Sequence, residues 1–229
     1  MTKVSPTSLT TFDLFKELGN RERSRIAKSM VQTRYSAGQY IISSSTSGSD
    51  IYFIISGKVS ASALSTSGKP VHFEDLKPGA MFGELSAIDP SDRSSDCIAS
   101  TDAEIAKLSA PDFHRYLDEY PAVRNAVLVR LTRMARYHMQ RVFEFSTNKV
   151  EIRVRLELQR IGAAHAGNKT KNIEITDYPT HAGIASRISS HREAVTRELN
   201  KLQKAGIITW TRDTHIIHDL DKLGELTRD

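Results

Sequence analysis

Phe82-Gly83-Glu84-Leu85-Ser86, with Arg93-Ser94-Ser95 beginning nine residues after the glutamate, is the stretch whose residue types suit chemistry. The glycine tolerates unusual φ and lets a backbone amide approach a ligand closely. Glu84 offers acceptors for a sugar hydroxyl. Arg93 supplies a planar, permanently charged fork for a phosphate, and the Ser94 hydroxyl adds a donor. Together they describe a ribose and a phosphate held within one small ligand. The same letters also fit a glycine turn carrying a surface Glu–Arg pair worth almost nothing. The surrounding elements must decide.

A second constellation runs from Thr180 to Leu202 and has the pattern of helix, tight turn, helix. Ile184, Ile188, Val195, Leu199 and Leu202 would form its shared core, with small Ala185 allowing close helix approach. At 100° per residue, Val195, Leu199 and Leu202 fall within about 60° of one another. Arg192, Glu193, Thr196, Arg197 and Asn200 spread over about 140° on another face. A helix presenting Arg, Glu and Arg from its first turns can enter a major groove, where Arg pairs with guanine and Glu accepts from cytosine. Thr180, Ser190 and His191, at the starts of the two helices, join Arg192, Glu193, Thr196 and Arg197 as expected DNA-facing residues. The runs Ile207–Trp210 and His215–Ile217 complete a β-hairpin, the wing of a winged helix-turn-helix. Trp210 is expected to pack that wing.

Composition sets the limits. The 229 residues are 39% apolar, carry a net charge of +5 and contain a single cysteine, Cys97. One cysteine excludes an internal disulfide and any four-cysteine metal or iron–sulfur site; no metal site is expected. There is no apolar run of about 18 residues and no secretory h-region, so the expectation is a cytoplasmic protein with no membrane partner. Divided at Asn148, the first part has 18 Lys/Arg against 16 Asp/Glu and the rest 14 against 11, giving +2 and +3. A mildly basic C-terminal part permits nucleic-acid binding. No Walker A, HExxH or GxSxG sequence is present, and no enzyme is expected.

The elements that must position these residues follow from pattern. Phe12, Leu14, Phe15, Leu18, Ile26 and Met30 predict two short helices. Strands are predicted at Gln39–Ser43, Ile51–Ser56, Lys58–Leu64, Val71–Leu76 and Glu104–Leu108, separated by turns such as Ser67-Gly68-Lys69 and Lys77-Pro78-Gly79. Many short strands with tight turns argue a sandwich or jelly roll. A short helix from Pro111 to Glu119 precedes a long one from Pro121 to about Phe145. In the long helix Val127, Leu131, Met134, His138, Val142 and Phe145 form a narrow apolar seam of the self-associating kind. Ser146-Thr147-Asn148 interrupts it. Val150–Ile161 is again amphipathic, and Ile173–Ile175 is a short strand.

In this order the parts closely resemble the cyclic-AMP receptor protein / fumarate–nitrate regulator (Crp/Fnr) superfamily of bacterial transcription factors. Gly57, Gly68, Gly79 and Gly83 match the family's barrel glycines, Gly83-Glu84-Leu85 with Arg93-Ser94-Ser95 its nucleotide cassette, and Arg192-Glu193-Ala194-Val195-Thr196-Arg197 its recognition helix. The resemblance implies an α+β fold. Its parts are a jelly-roll cyclic-nucleotide-binding barrel (residues 1–120), a dimerisation helix and hinge (121–148) and a winged helix-turn-helix (149–229). It implies a homodimer that binds cyclic AMP or cyclic GMP as effector and palindromic double-stranded DNA with half-sites resembling TGTGA; RNA polymerase is a further candidate partner. Gly83, Glu84, Leu85, Ser86, Arg93, Ser94 and Ser95 would surround the ribose-phosphate. His138 and Met139 stand where the family presents hydroxyls to adenine, and Ser189 stands where its helix-turn-helix turn carries glycine. Arg93→Leu is expected to abolish nucleotide response with the fold intact. The alternatives are a regulator of the same fold that senses another effector or is constitutively active, and a nucleotide-sensing module acting on a protein partner.

Overall fold

Ile51–Ser56 is apolar at five successive positions, and a strand whose side chains alternate between faces can be that apolar only if both faces are covered. In a computed structural model of the protein, which describes residues 2–66 and 68–227, both are. Ser67, of the expected Ser67-Gly68-Lys69 turn, lies outside the described residues, as do Met1, Arg228 and Asp229. The chain forms two compact units, residues 1–135 and 136–229.

The first unit opens with β1 (Thr2–Lys3), 3-10 turns at Pro6–Thr11 and Asp13–Phe15, and α1 (Asn20–Lys28). The strands β2 (Val31–Tyr35), β3 (Tyr40–Ile42), β4 (Ile51–Ser56), β5 (Val59–Leu64), β6 (Pro70–Leu76) and β7 (Met81–Phe82) follow. A short helix, α2 (Glu84–Ile88), leads to β8 (Asp96–Ala99), β9 (Ala103–Leu108), α3 (Ala110–Glu119) and α4 (Pro121–Thr147). All pairings are antiparallel, in the orders β1-β2-β9-β4-β7 and β3-β8-β5-β6. Ile54 on β4 joins Ile42, Val59, Leu76, Phe82 and Ile105 in a core drawn from both sheets. Its neighbours Ile51 and Phe53 point the other way, into a core shared with Phe12, Phe15, Phe113, Tyr116 and Val123. Phe53 sits 5.4 Å from both Phe12 and Phe15.

In the second unit the last part of α4 is followed by α5 (Val150–Ala166), β10 (Lys171–Glu174), α6 (His181–Arg187) and α7 (Arg192–Lys204). The wing, β11 (Ile208–Trp210) and β12 (His215–Asp219), precedes α8 (Leu220–Glu225). The sheet order is β10-β12-β11. Val154, Leu158, Ile184, Val195, Leu199 and Trp210 share its core, so Trp210 packs the wing as its position predicts.

Several elements differ from the pattern reading. The pattern does not predict β2 and β8: Val31-Gln-Thr-Arg-Tyr has apolar residues only at its ends, and β8 is four residues long. Asp13–Phe15 is a 3-10 turn where the pattern predicts the first short helix, and a further 3-10 turn, Pro6–Thr11, precedes it. The cassette's connector contains the helix α2, and α4 runs through Ser146 and Thr147. Those two side chains donate to the carbonyls of Val142 and Phe143 at 2.9 and 2.8 Å, a local bond that lets hydroxyl residues remain helical. The helix ends instead at Asn148-Lys149. No helix among the described residues is long and apolar enough to cross a membrane.

Candidate functional site

The strand β7 stops at Gly83, whose φ of +81° is the left-handed conformation that glycine adopts without penalty. A Cβ there would lie 2.9 Å from Arg93 Nη1 and 3.0 Å from the Asp50 carbonyl oxygen. The close approach has a purpose in the local structure. Arg93 donates from Nη1 to the Gly83 carbonyl and from Nη2 to the Asp50 carbonyl, each at 2.9 Å. Its guanidinium also lies 5.9 Å from the centre of the Tyr52 ring, which stacks on Phe82. The Asp50 carboxylate is pinned in turn by Lys107 Nζ at 2.9 Å. Arg93 is thus a buried tie between the loop before β4 and the cassette.

Glu84, the first residue of α2, is 4% exposed. Burial pushes its carboxyl above the ordinary carboxylate range, opposed by the charge of Arg130. Arg130 comes from α4: its Nε lies 3.5 Å from Glu84 Oε1, and its Nη2 donates to the Met81 carbonyl at 2.8 Å and lies 3.8 Å from Glu74. Beyond this ion pair with Glu84, the buried Nε–H of Arg130 meets no hydrogen-bond acceptor among the described residues. Acceptors on Glu84 and the buried Nε–H of Arg130 fit a small ligand bearing hydroxyls and a phosphate. No sequence signal distinguished Arg130 from the other arginines of its helix; only the packing of α4 brings it to Glu84. Of the other cassette residues, Leu85 and Ser94 are exposed and Ser86 is buried, donating to the Asp92 carbonyl. Ser95 lies half-buried beside Cys97, whose thiol burial pushes up to about 12. An open cleft of about 790 Å³, lined by Ser47, Ser49, Ser86, Pro90, Asp92 and His114 among others, shares only Ser86 with the cassette. His138 and Met139 belong to the second unit, His138 half-buried against Tyr137 and Met139 71% exposed.

The apolar seam read along α4 is divided by the structure. Val127 is 3% exposed within the first unit's core, and Leu131 packs against that core, so Val127 is not available to a partner. Met134 is half-buried. Phe145 is half-buried and packs against the guanidiniums of Arg141 and Arg153, at 4.8 and 5.7 Å from its ring centre. Val142 is open at 63%, together with Leu128, Met139 and Phe143. The exposed stripe therefore runs Leu128, Thr132, Ala135, Met139, Val142, with spacings of 4, 3, 4 and 3. Up to Met139 it is the seam turned by one residue, and Val142 belongs to both. Each stripe is mainly apolar, and periodicity alone cannot say which of two adjacent stripes faces inward.

In the second unit, Thr180 caps α6 by accepting from the Gly183 amide at 3.0 Å. The turn between the helices places Ser189 at φ +50°, so the residue standing in the glycine position does adopt the left-handed conformation. Ser190 is half-buried, and its amide donates to the Ala185 carbonyl at 2.9 Å. His191, Arg192, Glu193 and Arg197 are exposed. Arg192, Glu193, Thr196, Arg197 and Asn200 line one open groove of about 400 Å³, the five residues that the helical pattern grouped. Thr196 Oγ1 is 2.8 Å from His181 Nδ1, a neighbour the pattern did not indicate. Burial, aided by the Arg192 charge, holds His181 below the usual histidine range. Burial does the same to His215, which stacks on Tyr178. Among the described residues no group of three or more His, Cys, Asp or Glu could hold a metal ion.

Residues 32–120 match the family model of the cyclic nucleotide-binding domain, and residues 150–226 that of the Crp-like helix-turn-helix domain. The CRP-like cAMP-activated global transcriptional regulator of Mycobacterium tuberculosis is 23% identical over 203 residues, covering 89% of this chain and 91% of its own. The cyclic AMP receptor protein of Thermus thermophilus is 29% identical over 192 residues, covering 82% and 84%. Among solved structures, the c-di-GMP-responsive global regulator CLP of Xanthomonas campestris superimposes with a TM-score of 0.73 at 18% identity, covering 83% of this chain and 94% of its own. At that identity the likeness concerns the fold alone.

Proposed function

This chain belongs to the Crp/Fnr superfamily of transcription regulators, and from that premise we propose that it is a homodimeric regulator whose binding to palindromic DNA is gated by cyclic AMP or cyclic GMP. The observation that carries the effector reading is the buried Glu84, with the buried Nε–H of Arg130 beside it and Gly83 next to it in the chain. In this reading residues 1–120 form the effector domain, 121–148 the dimer helix and hinge, and 149–229 the DNA-binding domain. Glu84 holds the ribose hydroxyl, Arg93 and Ser94 the phosphate, and Gly83 and Ser86 present backbone groups. Leu85 and Ser95 flank the ligand, and His138 and Met139 bear on the choice of base. A second copy covers the exposed stripe through Leu128, Met139 and Val142. Arg192, Glu193, Thr196 and Arg197 read the major groove, with Thr180, Ser190 and His191 on the backbone.

The gating is a linkage. An effector shifts the equilibrium only by its differential affinity for the two states. Arg130 supplies a route, because the residue that pairs with Glu84 is itself on α4. The test is titration calorimetry of the full chain with cyclic AMP and, separately, cyclic GMP, followed by duplex binding with and without each. Saturable binding of either nucleotide that raises DNA affinity supports the reading; no heat from either refutes the effector assignment.

One observation favours a second reading, a regulator of the same fold that ignores mononucleotides. Both Nη atoms of Arg93 are already engaged by backbone carbonyls. A guanidinium committed to those two carbonyls would leave Glu84 and Arg130 to a different effector, and the calorimetric panel separates the two.

A further inference from the structure

Serine is a poor occupant of the left-handed region, where a Cβ crowds the neighbouring carbonyl. Among the described residues only Asn172 and Ser189 hold positive φ without being glycine. Ser189 does so in the turn immediately before α7, so the orientation of the recognition helix depends on a conformation its own residue does not favour. The Ser190 amide closes the turn on the Ala185 carbonyl at 2.9 Å, and further support comes from outside it.

Two arginines supply it from two different helices. Arg141, on α4, donates from Nη2 to the Arg187 carbonyl, and Arg153, on α5, donates from Nη1 to the Ile188 carbonyl at 2.9 Å. These carbonyls belong to the last residue of α6 and to its C-cap, directly before Ser189. Both guanidiniums lie against the Phe145 ring, at 4.8 and 5.7 Å from its centre. Arg141 is itself fixed: its Nη1 lies 3.0 Å from Glu144 and 3.5 Å from Glu157. Glu144 is 2% exposed, Glu157 5% and Arg141 7%. Arg160 bridges the same two carboxylates at 2.9 and 3.1 Å, and Arg187 reaches Glu157 at 3.4 Å. Breaking a buried ionic cluster at one member leaves the others uncompensated, so the cluster resists rearrangement and holds Arg141 in one place.

We propose that Arg141 and Arg153 are positioning residues for DNA recognition. They clamp the non-glycine turn, and through Arg141 they make the presentation of α7 depend on the last two turns of α4. The connection bypasses the peptide link at Asn148-Lys149. It deepens the DNA-reading assignment made above and rests on that reading for what α7 contacts.

The test uses the full chain as Arg141→Ala, Arg141→Lys, Arg153→Ala, Ser189→Gly and the double variant Arg141→Ala with Ser189→Gly. Each is measured for thermal melting and for affinity to a palindromic duplex with TGTGA-like half-sites. Arg141→Ala is expected to weaken DNA binding about tenfold or more, the effect of losing one charged hydrogen bond. Ser189→Gly in the same chain is expected to restore affinity to within about threefold, because glycine adopts the turn without a clamp. Arg141→Lys is expected to lie between. Independent effects of the two substitutions, or a loss of affinity that only follows loss of folded protein, would overturn the proposal. If Arg141→Ala fails to fold, Arg153→Ala with and without Ser189→Gly is the same test, since Arg153 holds the turn from α5. A parent chain that binds no duplex refutes the DNA reading, and the clamp is then read from amide exchange at Ser190. Arg153→Ala speeds that exchange if the clamp exists, with reversal by Ser189→Gly, and leaves it unchanged if it does not.

Discussion

Arg93→Leu separates two roles that the sequence alone merges. A ligand-gripping arginine on the rim of a site would be dispensable to the empty protein. The structure instead has Arg93 8% exposed, with two charged hydrogen bonds of 2.9 Å to the Gly83 and Asp50 carbonyls. Such bonds contribute about 1.5–3 kcal/mol each. Water reaching one of the abandoned carbonyls offsets part of the loss, leaving a cost of about 2–4 kcal/mol. For a unit of this size about 3–4 °C accompanies each kcal/mol, so the ligand-free variant should melt about 6–16 °C below the parent. This revises the expectation of an intact fold. Scanning calorimetry of the parent, Arg93→Leu and Arg93→Lys, each with and without cyclic AMP, reads both roles at once. Ligand at about 100 times its Kd stabilises the parent by about 2.7 kcal/mol, and Leu should abolish that increment as well. Lys keeps the charge but lacks the planar fork that reaches both carbonyls at once, and should fall between. A ligand-free Arg93→Leu protein melting within about 2 °C of the parent would refute the structural tie, the two bonds being worth several times that.

Glu84 has its carboxyl raised by burial, so the native state binds the proton more readily than the unfolded chain. Stability contributed by the neutral form is present at low pH and lost as pH rises from the ordinary carboxylate range through the raised value. The difference in melting temperature between Glu84→Gln and the parent should therefore shrink as pH falls through that window; a pH-independent difference would contradict the burial argument. Met139→Asp places a charge on the exposed stripe and should shift sedimentation toward monomer. Val127→Ala should leave the assembly state alone and cost about 1–3 kcal/mol of stability from lost burial. Equal effects of the two on assembly would return Val127 to the interface. Arg192→Ala should relax preference at one base pair by about 1–3 kcal/mol in a competition series of altered duplexes, whereas uniform weakening on all sequences would make it a phosphate contact.

The two constellations were legible because each depends on residues close in sequence. Gly83, Glu84 and Arg93 lie within eleven positions, and Arg192 to Asn200 within nine, on elements short enough for spacing to set the face. The groove lined by Arg192, Glu193, Thr196, Arg197 and Asn200 follows directly from helical geometry. The seam on α4 is legible as a period, but its Val127 turns into the first unit's own core while its Val142 stays open. A stripe that packs on its own domain and one that awaits a partner are made of the same residue types.

What the sequence determined by itself was local: the turn at Gly83, the periods of strand and helix, the order of barrel, long helix and winged domain, and the charged face of α7. These follow from backbone preference and from side-chain spacing along one element. What only the tertiary structure decided was which distant groups meet. Arg130 reaches Glu84 across 46 positions and Arg93 the Asp50 carbonyl across 43. Arg141 reaches the carbonyl of Arg187 at the end of α6, 46 positions on. A guanidinium on a long flexible stem can point in many directions. Its partner is chosen by which carbonyls and carboxylates the packed core leaves without one, and no spacing rule carries that information.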